Sequence, residues 1–294
     1  MSKFADTKKR HYYAVTNSHV VQGRNSVIRI NRKDGTVATI PTEKSLWTYS
    51  DSADLAVLPI ELDDAYDVKA FNTDMLLTKF KLGTKGLGIG DETFMIGRFI
   101  NHEGRQRNKP KARFGTVAMM PDASEGVYNH HMSQRQEAYL VETHTVCGYS
   151  GSPVFFFIPA MSKRPPEDKA NNPLAWRGPW LLGVEWAHII DHEPVVEKGV
   201  EGEWKKTGQY VEVTTGMMCV SPAWHLEALL NDPHLAQLRD EQEAKWEKES
   251  KPRVVAKLDS AHQPAPAGDL LLDALLKTPP APKTKVKATS KRKA

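Results

Sequence analysis

Cysteine is nearly absent: the 294-residue chain has two, Cys147 and Cys219. Two thiols permit one bridge at most, which excludes a disulfide framework. Such sparse usage fits a reducing compartment, so the expected location is the cytoplasm. Long apolar runs are missing too. No stretch approaches the ~18 residues of a membrane-spanning helix, and the start, MSKFADTKKRHYY, lacks the apolar core of a signal or transit peptide. The body of the chain is poor in positive charge. Residues 251–294 hold ten Lys/Arg and three Asp, a net +7, within a chain whose formal net charge is +4. The preceding 250 residues therefore carry a net −3. Nucleic-acid binding is not expected of that body, and any such contact would belong to the tail.

Cofactor signatures are equally scarce. GLGIG (86–90) places Asp91 where G-x-G-x-x-G needs its third glycine, and no βαβ unit surrounds it. It reads as a turn between strands. His188 and His192 are four apart beside Asp191, but on a strand running into a loop rather than on a helix. No metal site and no cofactor are expected. His130 and His131 lie in a polar loop and read as solvated.

What remains is a chain of short β segments. HYYAVTN (11–17), SVIRIN (26–31), TVATIP (36–41) and LAVLPI (55–60) are β-branched or aromatic-rich, with Lys33-Asp34-Gly35 as a turn between two of them. ETFMIGRFI (92–100), ARFGTVAMM (112–120), AYLVET (138–143) and SPVFFFI (152–158) continue the pattern. PWLLGVEWAH (179–188), GQYVEVTT (208–215) and GMMCVSP (216–222) complete it. Many short strands without intervening helices predict an all-β sandwich or barrel. Helices are expected at AWHLEALL (223–230) and HLAQLRDEQEAKWEKES (234–250), the second with a narrow apolar edge of Leu235, Leu238 and Trp246. The segments 101–111, 159–178 and 191–207 read as polar loops. From about residue 251 the composition turns to Pro, Ala and Lys, too poor in apolar surface to fold. A leucine island inside it, GDLLLDALLK (268–277), is a candidate for docking a protein partner; transient structure in a linker is the alternative.

Three stretches carry chemistry. AVTNSHVV (14–21) ends a strand in a polar turn bearing His19. SADLAVLPI (52–60) opens an apolar strand with Asp54. GYSGSPV (148–154) sets Ser150 between glycines. A serine hydroxyl is a weak nucleophile until a base takes its proton, and imidazole titrates in the right range to do so. Each motif alone is ordinary: a turn serine, a solvated histidine, an aspartate before a strand. Together, in this order, they resemble the trypsin/chymotrypsin-like serine peptidases, nearest in flavour to the bacterial HtrA and glutamyl-endopeptidase groups. Those families carry TN-x-H-V-V, DLAVL and G-x-S-G-[SG]-P in the same order.

The resemblance implies a double six-stranded antiparallel β-barrel over residues 1–230, the first barrel about 1–105 and the second about 110–222. The charged helix (231–250) and a disordered basic tail (251–294) follow. It makes GIGDETFMIGRF (88–99) a strand pair closing the first barrel. It implies serine endopeptidase activity on protein or peptide substrates, with Ser150 as nucleophile, His19 as base and Asp54 orienting it. The amides of Gly148 and Ser150 would form the oxyanion hole. Thr143, His144 and Thr145 would wall the primary pocket, and Val184, Glu185 and Trp186 would offer backbone to an extended substrate. Tyr149 replaces the usual Asp or Asn. It cannot pair with a new N-terminal amine, and it is expected to pack beneath the turn. Only 18 residues precede His19, so either the first barrel is incomplete, or a partner fills the gap, or the true start lies upstream. Two rival readings follow: a catalytically silent peptide-binding module on this fold, and a tail-driven scaffold or nucleic-acid protein.

Overall fold

A computed structural model describes residues 10–23, 27–98, 107–144, 148–159, 177–199 and 202–250. The leucine island, the basic tail, Thr145 and Cys147 lie outside the described residues.

The second half is a closed barrel. Its strands are β6 (Glu92–Gly97), β7 (Lys111–Met119), β10 (Tyr139–Thr143), β11 (Pro153–Phe156), β12 (Trp180–Lys198) and β13 (Trp204–Pro222). They follow one another round the barrel as β10-β13-β12-β11-β6-β7, and β7 pairs with β10 to close it. Side chains alternate as the pleat requires. Met95, Val154, Phe156, Leu182, Met218 and Val220 point into the barrel with Tyr139, Tyr149 and Trp180. Phe94, Phe155, Leu181 and Val184 point outward into a second cluster. That cluster joins the barrel to Ala53, Leu55 and Val57 of the first half and to Ala223, Leu226, Leu229 and Leu235 of the C-terminal helices. Fully burying one such side chain contributes roughly 1.5–3 kcal/mol, so this shared cluster is the main attachment between the halves.

Among the described residues the first half has five strands in two sheets. β1 (Tyr12–Thr16), β5 (Ala56–Ile60) and β4 (Thr48–Tyr49) form one in the order β1-β5-β4. β2 (Val27–Asn31) and β3 (Val37–Pro41) form a separate hairpin. Among the described residues these two sheets are not joined to each other. The stretch expected to close the first barrel does not: β6 pairs with β7 and β11, inside the second barrel. The reason is packing, since Met95 belongs to the barrel interior while Phe94 and Ile96 meet the shared cluster. Two helices, α1 (Ser18–Gln22) and α2 (Lys79–Lys85), sit within the β segments, and α3 (Ala223–Leu230) and α4 (Pro233–Ser250) follow them. α4 lies along β1: Arg239 donates to the Tyr13 hydroxyl, Gln242 meets His11, and Trp246 stacks near the His11 ring. A helix so placed shields an otherwise unpaired strand edge. Of the expected apolar edge of α4, Leu235 is fully buried and Leu238 is exposed.

Two other expectations change. The charged segment 191–207 is not a loop. β12 and β13 are 19 residues each and run out as a long two-stranded ribbon, at whose end the Gly199 amide donates to the Glu203 carbonyl at 2.8 Å. Opposite charges face each other across it, Glu197 against Lys205, and Pro194 faces Tyr210. Such pairs stabilise a ribbon that buries neither face. And β8 (Val127–Asn129) and β9 (Gln134–Gln136) form a small hairpin where a polar loop was expected.

Candidate active site

The register of two strands brings His19 to Asp54. β1 pairs antiparallel with β5, Thr16 opposite Ala56, so the residues just past Thr16 run beside those just before Ala56. There the chain turns into α1, and polar side chains stitch the two segments together. Asn17 donates to the Asp54 carbonyl at 2.8 Å, and the Ser18 hydroxyl to the Leu55 carbonyl at 2.8 Å. The His19 amide donates to Asp54 Oδ1 at 3.1 Å, and His19 Nδ1 lies 2.5 Å from Asp54 Oδ2. An Nδ1–H donated to that carboxylate fixes the tautomer and leaves Nε2 as the basic nitrogen.

Asp54 is entirely buried. Burial works to raise its pKa, but the hydrogen bonds and charge of His19 outweigh it and hold the carboxyl below its ordinary value. It stays an anion in the interior because it is fully partnered. Part of that support comes from the β8–β9 hairpin of the second half. Gln136 Oε1 accepts the Asp54 amide at 2.9 Å, and Asn129 Nδ2 stands 3.5 Å from Asp54 Oδ2. The His131 ring stacks on His19, centroids 4.3 Å apart and planes 11° from parallel. His131 is exposed, as expected of a polar loop, but it is not simply solvated.

Ser150 occupies a tight turn that precedes β11. The Ser152 amide closes it onto the Tyr149 carbonyl at 2.9 Å. Gly148 has φ +101 and Gly151 φ +87, backbone that side chains rarely adopt. A Cβ on Gly151 would collide with Thr16 Oγ1, so the turn sits directly on the last residue of β1, three before His19. Tyr149 packs beneath the turn as expected: it is buried in the barrel core, and Arg113 Nε donates to its hydroxyl at 3.0 Å. Ser150 is half-buried, and among the described residues its hydroxyl makes no hydrogen bond to His19. Bonds of this kind commonly tighten only when substrate binds.

These observations set the Ser150 turn against the end of the strand that leads into His19. The sequence profile described as "Trypsin-like peptidase domain" matches residues 5–156, just over half of the chain. The chain belongs to the trypsin-like peptidase domain family. Among solved structures it is similar to the "MamO protease domain from Magnetospirillum magneticum (apo form)", at 14% identity and a TM-score of 0.41. That similarity covers 75% of this chain and 83% of that one. No curated protein matches the chain.

The substrate-facing residues fare unevenly. The Thr143 hydroxyl is committed to the Phe114 carbonyl at 2.9 Å, while the His144 side chain is exposed and its carbonyl accepts from Arg113. Val184 and Glu185 are not open to a substrate strand. Val184 faces Pro153 on one side and Ser221 on the other. The Glu185 amide donates to the Ser152 carbonyl, and its carbonyl accepts from Gly151, both at 2.9 Å. Trp186 lies just past these bonds, at a bulge in the β12–β13 pairing.

The Glu185 side chain is a residue whose role sequence reasoning missed. It stands opposite Val220 on β13. It is wholly buried, neither oxygen makes a hydrogen bond, and His188 Nε2 stands 3.5 Å from Oε1. Burial, helped by the Asp54 charge, raises its pKa to about 8. Cys219 on β13 is a free, buried thiol, pushed up to about 12 by burial and by Glu185. Among the described residues no cluster of three His, Cys, Asp or Glu could hold a metal ion, and no helix is long and apolar enough to cross a membrane.

Proposed function

We propose that this member of the trypsin-like peptidase domain family is a serine endopeptidase. Ser150 Oγ attacks the scissile carbonyl of a protein or peptide. His19 Nε2 takes the hydroxyl proton and returns it to the leaving amine. A water then repeats the cycle against the acyl-enzyme. Asp54 holds the ring and stabilises the imidazolium that forms on it. Amides of Gly148 and Ser150 receive the oxyanion; each such donor is worth ~10²–10³ in rate. These roles follow the general serine-triad template. The observation that carries the reading is the part-buried His19–Asp54 pair with the Ser150 turn seated against Thr16, three residues before His19. Backbone contact with an extended substrate falls to Trp186 rather than to Val184 or Glu185, and the exposed His144 side chain is available to a substrate side chain.

A second reading draws on the open first half: a silent module that holds peptides without cutting them. A fluorophosphonate probe separates the two. The endopeptidase reading expects covalent labelling that disappears in Ser150→Ala. Well-folded protein that binds peptides and never labels supports the silent module.

A further inference from the structure

The β8–β9 hairpin reaches from the second half over the His19–Asp54 pair. Asn129 is wholly buried and anchors its tip. Its Oδ1 accepts the amides of His131 at 2.9 Å and Met132 at 3.3 Å, while its Nδ2 faces Asp54 Oδ2. Ser133 follows with φ +55, a left-handed turn residue. The tip is thus tied to the carboxylate, and its geometry delivers one side chain, His131, flat onto the His19 ring.

We propose that His131 is a positioning residue: its ring holds the face of the His19 imidazole while Asp54 holds the edge, and like charges on the two stacked rings oppose each other. This rests on the endopeptidase reading for its consequence, but the coupling itself does not. An imidazole held only at Nδ1 can tilt about that bond; a stacked ring removes this freedom. A neutral ring over His19 also stabilises the imidazolium that grows there during attack, as aromatic faces do for cations. A charged ring at the same place opposes it. The groups facing His131 are His19 from α1, Asp54 from the segment before β5, and His130 from its own tip. Burial comes first among the influences lowering the His131 pKa, then the charge of His19, with Asp54 acting the other way. The balance favours the neutral His131 ring.

Two readouts test this, both on the full chain. The first is the rate of Ser150 labelling by a fluorophosphonate. His131→Ala should slow it at least ~10-fold through loss of alignment, and His131→Phe, which keeps a ring and removes the charge, should restore it to within about twofold of wild type. A purely structural exposed residue would show no such split; equal rates in the alanine and phenylalanine variants overturn the positioning role. The second readout needs no activity: NMR titration of His131 in Ser150→Ala protein. Adding His19→Phe should raise the His131 midpoint, and an unmoved midpoint overturns the coupling. If wild-type protein never labels, the endopeptidase reading fails and the titration alone decides this inference.

Discussion

Replacing Glu185 by Gln should change how stability responds to pH more than any other single substitution in the barrel. The carboxyl is wholly buried without a hydrogen bond, so the folded state favours its protonated form. Its pKa rises from 4.5 to about 8. A raised folded-state value means that the folded protein binds the proton more tightly than the unfolded chain. The contribution is therefore complete below pH ~4.5, declines as pH climbs, and is gone above pH ~8. Between three and four pH units at ~1.4 kcal/mol each sets an upper limit of about 5 kcal/mol. His188, 3.5 Å away, offsets part of this wherever it is charged. Glutamine fills the same space and cannot ionise. Urea unfolding of both proteins at pH 5, 7 and 9 isolates the effect, because every other titrating group is common to both. Wild type should lose several kcal/mol relative to Glu185→Gln between pH 5 and 9. Parallel stability profiles would refute the buried, protonated carboxyl.

Other substitutions test neighbouring steps. Asp54→Asn should leave the fold intact and lower Ser150 labelling by up to ~10⁴-fold, because the tautomer of His19 is no longer imposed. Asn129→Ala frees the hairpin tip from Asp54 and should slow labelling by up to ~10²-fold with little change in peptide affinity. Gly151→Ala forces a side chain into φ +87 and against Thr16; a loss of roughly 1–3 kcal/mol in urea unfolding, with labelling abolished, is expected. Gly183→Ala drives a Cβ into the Ser221 carbonyl oxygen between β12 and β13, and should destabilise by about 3 kcal/mol or more.

Much of the site was legible in the sequence because its parts are local motifs. TNSHVV and DLAVL each place one polar residue at the end of an apolar strand, and the β1–β5 register then makes His19 and Asp54 neighbours. The glycines round Ser150 announced backbone that only glycine adopts readily, and Gly148 and Gly151 both have positive φ. The barrel strands were visible as β-branched and aromatic runs. The β8–β9 hairpin was not. VYN and QRQ have no apolar alternation, and their purpose is to hold Asn129, His131 and Gln136 against a site formed by residues far away in the chain. The β12–β13 ribbon escaped for a related reason: exposed on both faces, it shows no inside-outside pattern, and its pairing rests on cross-strand partners such as Glu197 and Lys205. The place of β6 was misread because a lone strand does not say which sheet it joins. One cue was available and unused. Glu185 sits inside WLLGVEWAH, where a lone acid among apolar residues marks a buried carboxyl.

The central claim is that His19, Asp54 and Ser150 form one reactive unit. Mass spectrometry of protein treated with a fluorophosphonate tests it most directly. The account predicts a single adduct on the 148–153 turn, absent from Ser150→Ala and slowed by orders of magnitude in His19→Ala. Folded wild-type protein that carries no adduct, or carries it with the same rate when His19 is removed, would contradict it.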